Sequence, residues 1–267
     1  MHRALSINTL CLGPGPLAAH VVQVARLGAG AIGLTLEEVV ACGAPAAARL
    51  LRETGLVAAT LTHRAFGFAS AAEAAVGREH LNKTIALAGE IGAQTITMTT
   101  GGRGDLPWAA AAARFAAEIA PCATQARAAG VKISLEPTSH LYADASIAHR
   151  LADTVDIAVR AGIGVGIDLF ACWVDADIED AIAAAGPHIA LVQVSDYVYG
   201  DRGLPCRAVP GDGAVPLGRL MPRIVKTGFR GYFDVEVIGP RLEAEGAEAG
   251  LRRAGAVMTR LLEAAGY

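Results

Sequence analysis

The feature that most constrains the fold is a regular alternation of short β-branched runs with longer Ala- and Leu-rich segments along the whole chain. Strand-then-helix alternation implies a parallel sheet, because parallel neighbours need a crossover, usually a helix, between them. The predicted strands cover 4–8, 31–36, 56–62, 94–99, 132–136, 164–169, 189–194 and 232–237. The predicted helices cover 16–28, 45–54, 71–91, 107–129, 146–161, 176–186, 217–227 and 243–265. Eight such units within 267 residues favour a single (β/α)8 barrel, the TIM barrel, over an open doubly wound sheet.

The first strand-to-helix turn also argues against an open, dinucleotide-binding sheet. It reads INTLCLGPGPL and lacks the GxGxxG pattern that such a sheet carries after its first strand. Glycines follow several predicted helices, as at Gly55, Gly92 and Gly130, where a left-handed backbone closes a helix before the next strand. No linker interrupts the chain, so 1–267 is predicted to be one domain. The longest loop, 197–216, is rich in Gly, Pro, Arg and Asp and is expected to be functional.

Composition excludes several classes of protein. The net charge is −3 and neither half is strongly basic, so nucleic acid is not an expected partner. The five cysteines form no CxxC pair, which excludes a zinc knuckle or a redox motif, and scattered thiols fit a reducing cytoplasm. The N-terminal MHRALSINTL lacks the apolar core of a signal peptide, and no apolar stretch is long enough to span a membrane. We therefore expect a cytoplasmic protein with no membrane partner.

Side chains with oxygen donors lie at the ends of four consecutive predicted strands: Glu136 in ISLE, Asp168 in VGID, Gln193 in LVQV and Glu236 in FDVEV. The carboxyl ends of barrel strands converge on one mouth, where three carboxylates would repel one another unless a divalent cation compensated their charge. An all-oxygen ligand set suits Mg²⁺ or Mn²⁺ better than Zn²⁺. Each residue alone is as well explained as a strand-end cap or a loop salt bridge, but four in succession favour a metal site.

Several segments resemble the xylose-isomerase-like barrel superfamily, which includes sugar-phosphate isomerases and epimerases, keto-sugar 3-epimerases, inosose dehydratase and 3-dehydroshikimate dehydratase. The resemblance covers nearly the whole chain. It is carried by RALSINT, LEP, GVGIDLFACW, LVQVSDY, VPGDGAVPL and FDVEVIG, of which LEP and VPGDG…P are the more specific. It implies a metal ion held from strands five to eight by Glu136, Asp168, Gln193 and Glu236, with Gln193 in place of the usual His. A similar Gln ligand occurs in barrels resembling 3-dehydroshikimate dehydratase.

Two further positions depart from the family pattern. Many relatives carry a His three residues after the strand-six Asp, where this chain has Ala171, and dehydratases often carry a His two residues after the strand-five Glu, where it has Thr138. None of the seven histidines lies at the end of strand seven, so the resemblance does not extend to the His-rich zinc nucleases of the superfamily.

The resemblance implies an isomerase or epimerase that acts on a small polyhydroxy carbonyl compound, such as a keto-sugar, polyol or related hydroxy-ketone. Glu136 and Glu236 would flank the substrate and exchange a proton through an enediolate. A dehydratase or other β-eliminating lyase on the same scaffold is the alternative, and a non-catalytic accessory subunit is a third. Related barrels often form homo-oligomers.

Three other residues are candidates for substrate binding. Arg207 resembles a substrate-facing Arg of the family, or else braces its loop by pairing with Asp201 or Asp212. His63 is expected to face the mouth from the end of strand three, as a proton shuttle or as a hydrogen-bonded strand-end His. Trp173 either stacks on a sugar ring or walls the pocket.

Overall fold

The computed structural model describes all residues from 1 to 267, and its centre is a closed barrel of eight parallel strands in chain order. The strands are β1 (Leu5–Asn8), β2 (Ala31–Thr35), β3 (Val57–Thr62), β4 (Thr95–Met98), β5 (Lys132–Leu135), β6 (Gly164–Asp168), β7 (Ile189–Val194) and β8 (Phe233–Val235). The pairing of β8 with β1 closes the sheet. Closure into a (β/α)8 barrel is therefore confirmed, and each predicted strand overlaps an observed one.

Eleven α-helices surround the barrel. They are α1 (Leu17–Leu27), α2 (Leu36–Cys42), α3 (Ala44–Thr54), α4 (Ala71–Ile91), α5 (Trp108–Ala128), α6 (Leu151–Ala161), α7 (Leu169–Cys172), α8 (Ile178–Ala185), α9 (Leu217–Lys226), α10 (Pro240–Glu245) and α11 (Ala247–Ala264). No helix is both long and apolar enough to cross a membrane.

The helix predictions differ from the structure mainly where short helices follow strands. Helix α2 was not predicted; it begins directly after β2, where Thr35 and Glu38 form a reciprocal capping box. The predicted helix 243–265 is two helices, because Gly246 adopts φ +91° between α10 and α11. The predicted helix 146–161 begins only at Leu151, and a loop fills the preceding residues.

The barrel has an apolar outside and a polar inside. Strand residues such as Leu5 and Ile7 are fully buried in the large apolar layer that the helices cover. Their neighbour Ser6 faces the barrel interior and donates a hydrogen bond to Asp234, which also accepts one from Asn8 (2.8 Å). A polar interior of this kind lies directly below the mouth that the sequence analysis identified.

The 197–216 loop contains no helix or strand, yet it is ordered by one buried carboxylate. Asp196, which follows β7, accepts hydrogen bonds from the backbone amides of Gly211, Gly213 and Val215 at 2.9 Å each. A carboxylate that accepts several amide hydrogen bonds is a strong local organiser. Asp196 therefore holds the long loop over the mouth.

Candidate active site

The four predicted strand-end residues lie together at the mouth of the barrel. Asp168 and Gln193 are register partners on β6 and β7, and the Gln193 amide donates a hydrogen bond to Glu236 Oε2. Asp168, Gln193 and Glu236 are 3%, 4% and 8% exposed. Glu136 reaches the same space from the end of β5, beside Gly166, where an added Cβ would lie 3.5 Å from that of Glu136. The tight approach at Gly166 is to Ser134, whose Oγ would lie 2.9 Å from the added Cβ.

Arg207 is the cation of this site. Its guanidinium donates two hydrogen bonds to Asp168 (2.9 Å to Oδ1 and 2.6 Å to Oδ2) and lies 3.7 Å from Glu236 Oε1. It also packs over the Phe170 ring, 4.6 Å from the centroid. Such a bidentate, stacked arrangement is specific to Arg.

The loop-bracing interpretation of Arg207 is wrong. Asp201 pairs with Arg241, and Asp212 pairs with Arg253, so neither is a partner of Arg207. Arg207 comes from the long loop and its backbone amide donates to Ile238 O (3.0 Å) just beyond β8. That anchor directs its side chain into the mouth instead of along the loop.

Burial makes the two glutamates reluctant to ionise. The pKa of Glu136 is raised well above its ordinary value, first by burial and then by the nearby charges of Glu236 and Asp168. The pKa of Glu236 is also raised, chiefly by burial, while Arg207 acts in the opposite direction. Carboxyl groups that hold a proton more tightly than they would in water are suited to exchanging protons with a substrate.

Two oxygen atoms of the site have no partner. Glu136 Oε2 and Gln193 Oε1 are buried and accept no hydrogen bond. Buried acceptors are almost always satisfied, so unpartnered ones indicate a missing ligand, water or ion. Three carboxylates and one amide oxygen fit a hard divalent cation by their chemistry. No three His, Cys, Asp or Glu side chains are arranged to hold a metal as they stand, and Arg207 engages both Asp168 oxygens.

The floor of the mouth opens into a small cavity of about 200 Å³, here called the mouth cavity. Asp168, Glu236 and Arg207 form its charged side, and Phe170 and Leu204 form part of its apolar side. Trp173 does not line it. Trp173 instead walls an adjoining cavity, together with Phe170 and Tyr197. A small polar compound in the mouth cavity would therefore contact Arg207 and Glu236 directly.

The expectation that His63 faces the mouth is wrong. Its Nδ1 lies 2.9 Å from Thr84 Oγ1 of α4, outside the barrel. Side chains alternate along a strand, and Thr60 faces the interior, so His63 falls on the outer face. Burial lowers its pKa to about 4, which keeps the imidazole neutral. The hydrogen-bonded strand-end interpretation is the one that the structure bears out.

Sequence reasoning missed two carboxylates that support the site. Asp234 is fully buried beneath the mouth, and burial raises its pKa to about 7 despite its hydrogen bonds from Ser6 and Asn8. The alternation in FDVEV places Asp234 on the same face as Glu236, so the signal was present. Asp196 lies two residues after β7 and directly precedes the longest loop, which is a signal for a loop anchor.

Fold and site together define a barrel with a polar, carboxylate-bearing mouth, and comparison with known proteins gives its family. Residues 21–260 match the model of the family described as xylose isomerase-like TIM barrel. The chain belongs to that family. No curated protein matches it.

Solved structures of similar fold cover nearly the whole chain. The protein SMc04130 from Sinorhizobium meliloti 1021 is 28% identical, with a TM-score of 0.83 and 98% of each chain covered. The IolI protein with a bound zinc atom is 15% identical (TM-score 0.84, covering 97% of this chain and 98% of that one). D-psicose 3-epimerase with D-tagatose, from Clostridium cellulolyticum H10, is 14% identical (TM-score 0.82, covering 97% and 99%). At such identities the last two show the fold alone.

Proposed function

We propose that the protein is an isomerase or epimerase of a keto-sugar, polyol or related hydroxy-ketone, and that it uses a divalent metal ion. The observation that carries this proposal is geometric: Glu236, which accepts a hydrogen bond from Gln193 and lies 3.7 Å from the Arg207 guanidinium, and the half-buried Glu136 meet at the same mouth. Isomerisation and epimerisation both require a proton to leave and return next to a carbonyl, which needs one acid and one base.

The family supports this assignment in general terms. Solved structures with the same fold include D-psicose 3-epimerase with D-tagatose and L-ribulose 3-epimerase, the latter 22% identical with a TM-score of 0.81. The substrates in these names are keto-sugars. A small polar cavity lined by Glu236 and Arg207, with Glu136 next to Glu236, suits a compound of that class.

The residues of the chain have distinct tasks in this proposal. One of Glu136 and Glu236 takes the proton from the carbon next to the carbonyl, and the other returns a proton to the enediolate. Arg207 binds a substrate oxygen and stabilises the negative charge that develops on it. Phe170, which packs against Arg207, keeps water from that side of the guanidinium and so strengthens its interaction with the substrate.

The metal ion would be held by Glu136, Asp168, Gln193 and Glu236, and the unpartnered oxygens of Glu136 and Gln193 support this set. Mn²⁺ or Mg²⁺ is the proposed ion, because all four donors are oxygen atoms. When bound, such an ion polarises the carbonyl and makes the neighbouring C–H more acidic. Gln193 also donates to Glu236, so it orients one of the two proton-transferring carboxyl groups.

Solvent exchange tests the proposal. The purified protein is incubated in D₂O with Mn²⁺ or Mg²⁺ and a panel of keto-sugars and cyclic hydroxy-ketones, and loss of the C–H signal next to the carbonyl is followed by NMR. Exchange in at least one compound is expected, with mass unchanged apart from deuterium. Loss of water or of a larger group would identify an eliminating lyase instead, and no exchange in any compound would overturn the proposal.

A further inference from the structure

The cavity beside the mouth has unusual walls for a site that handles a single small sugar. It measures about 540 Å³ and is called the annex here; the larger residues of its apolar walls are Leu141, Phe170, Trp173, Tyr197 and Leu204. The aromatic members form a connected cluster, with ring centroids 6.1 Å apart for Phe170 and Tyr197 and 6.3 Å apart for Trp173 and Tyr197. Tyr199 extends the cluster outward, 6.3 Å from Trp173.

The annex is continuous with the mouth cavity. Ser139, Phe170, Ala171, Leu204 and Cys206 line both spaces. Phe170 contributes to the annex and also lies under the Arg207 guanidinium, so a ligand in the annex would sit next to the proposed reaction centre.

The local sequence explains why aromatic rings gather here. Phe170 and Trp173 are three residues apart at helix α7, so they lie on the same face of its turn. Tyr197 begins the long loop, and its hydroxyl donates to Asp201 O (2.6 Å), which fixes the ring. The cluster is therefore held by both a helix and an anchored loop.

Size and chemistry indicate the occupant. Sites for small organic ligands are roughly 300–1,000 Å³ and are mostly apolar with a few polar groups. The mouth cavity alone, at about 200 Å³, falls below this range, whereas the annex adds space whose walls suit a ring with an apolar face. Arg202, His140 and His149 also line the annex, which suits hydroxyl groups on such a ring.

We propose that the substrate has two rings: the hydroxy-ketone part lies in the mouth cavity, and a second ring, a glycosyl or aryl group, stacks in the annex against Trp173. The proposal deepens the function proposed above and rests on it for the identity of the reacting part. Trp173 is then a determinant of specificity for the size of the substrate.

Fluorescence of Trp173 tests the proposal without turnover or metal. The chain has two Trp residues, and Trp108, which donates to Ile147 O, lies outside the annex, so Trp108→Phe leaves Trp173 as the only indole. This variant is titrated with cellobiose, phenyl β-D-glucoside and methyl β-D-glucoside. The two-ring probes, cellobiose and phenyl β-D-glucoside, are expected to change the emission and to bind about tenfold more tightly than methyl β-D-glucoside. The ratio of the affinities for cellobiose and phenyl β-D-glucoside shows whether the annex prefers a glycosyl or an aryl ring.

Calorimetry with Trp173→Leu and a matched control, Tyr232→Leu, completes the test. Tyr232 precedes β8 at the opposite end of the barrel. Trp173→Leu is expected to weaken binding of the two-ring probes about tenfold and to leave binding of the one-ring probe unchanged, and Tyr232→Leu should alter neither affinity.

Equal affinity for all probes, or an equal loss of affinity in both variants, would overturn the proposal. So would sedimentation showing a dimer that Trp173→Leu dissociates, because a second copy would then cover the annex. Failure of proton exchange alone would leave these binding results intact.

Discussion

The two halves of the barrel interior differ in which polar side chains they bury and in how fully those side chains are hydrogen-bonded. Strands β1–β4 read LSIN, AIGLT, VAATLT and TITM and contain no charged residue. Their inward polar groups are satisfied within the barrel: Thr60 and Thr97 bond to each other at 2.8 Å, and Ser6 and Asn8 donate to Asp234 of β8. The ends of β5–β8 instead carry Glu136, Asp168 and Glu236.

The charged half leaves groups unsatisfied that the neutral half does not. Arg207 neutralises Asp168, but oxygens of Glu136 and Gln193 remain without a partner. Burying unpaired polar atoms costs stability, so their persistence at one side of the mouth indicates a function there. The neutral half is the scaffold, and the charged half is the site.

Among the substitutions that test this difference between the two halves, Glu136→Gln should have the largest effect on turnover. Removing a proton-transferring carboxyl group is expected to lower turnover by about 10²–10⁴-fold, measured as solvent deuterium exchange. The melting temperature should not fall, because the substitution removes a buried carboxyl group whose pKa is raised. Glu37→Gln, on an exposed glutamate of the neutral side that pairs with Arg64, is the control and should keep full turnover. Similar losses of turnover in Glu136→Gln and Glu37→Gln would contradict the assignment of the active site to the charged half of the barrel.

Arg207→Met should cause the largest loss of stability. It leaves Asp168 as an uncompensated buried charge, which typically costs about 3–5 kcal/mol. The control is Arg253→Met, which breaks the exposed pairs with Asp212 and Glu245 and should cost less than about 1 kcal/mol. Urea denaturation in EDTA measures both. A cost for Arg207→Met no greater than that of the control would show that Asp168 does not depend on Arg207.

Asp234→Asn should change how stability depends on pH. The pKa of Asp234 is raised from 3.8 to about 7 in the folded state, so the folded protein binds the proton more tightly than the unfolded chain. Its contribution is present below pH 4 and is lost as pH rises through 7, with a slope of up to about 1.4 kcal/mol per pH unit. The free energy of unfolding of the variant, relative to wild type, should therefore increase between pH 5 and pH 8. A difference that stays constant with pH would contradict the burial of an ionisable Asp234.

His63→Gln should have the smallest effect on activity. His63 faces α4, so exchange should stay within about threefold of wild type, while loss of the Thr84 contact costs about 1 kcal/mol. The buried imidazole has a pKa of about 4, so its contribution to stability is present above pH 6.5 and is lost as pH falls through 4. Thermal melts from pH 4 to pH 8 measure this dependence. A loss of turnover above tenfold would place His63 at the substrate after all.

The sequence predicted the barrel because each strand and helix carries its own periodicity and glycine stops. It also predicted the convergence of Glu136, Asp168, Gln193 and Glu236, since strand ends in a barrel share one mouth. The partner of Arg207 could not be predicted, because it depends on how the long loop folds around Asp196. The face on which His63 lies was predicted wrongly because His63 is one residue beyond the end of β3, where the alternation of side chains that begins at Thr60 still continues.

Manganese binding tests most directly whether the oxygens of the charged half form one cation site. Free Mn²⁺ is measured by electron paramagnetic resonance during titration of wild type, Asp168→Asn and Gln193→Leu. We expect one ion per chain in wild type and at least about tenfold weaker binding in both variants. An absence of bound manganese in wild type, or binding that neither substitution weakens, would contradict a cation site at the ends of β5–β8.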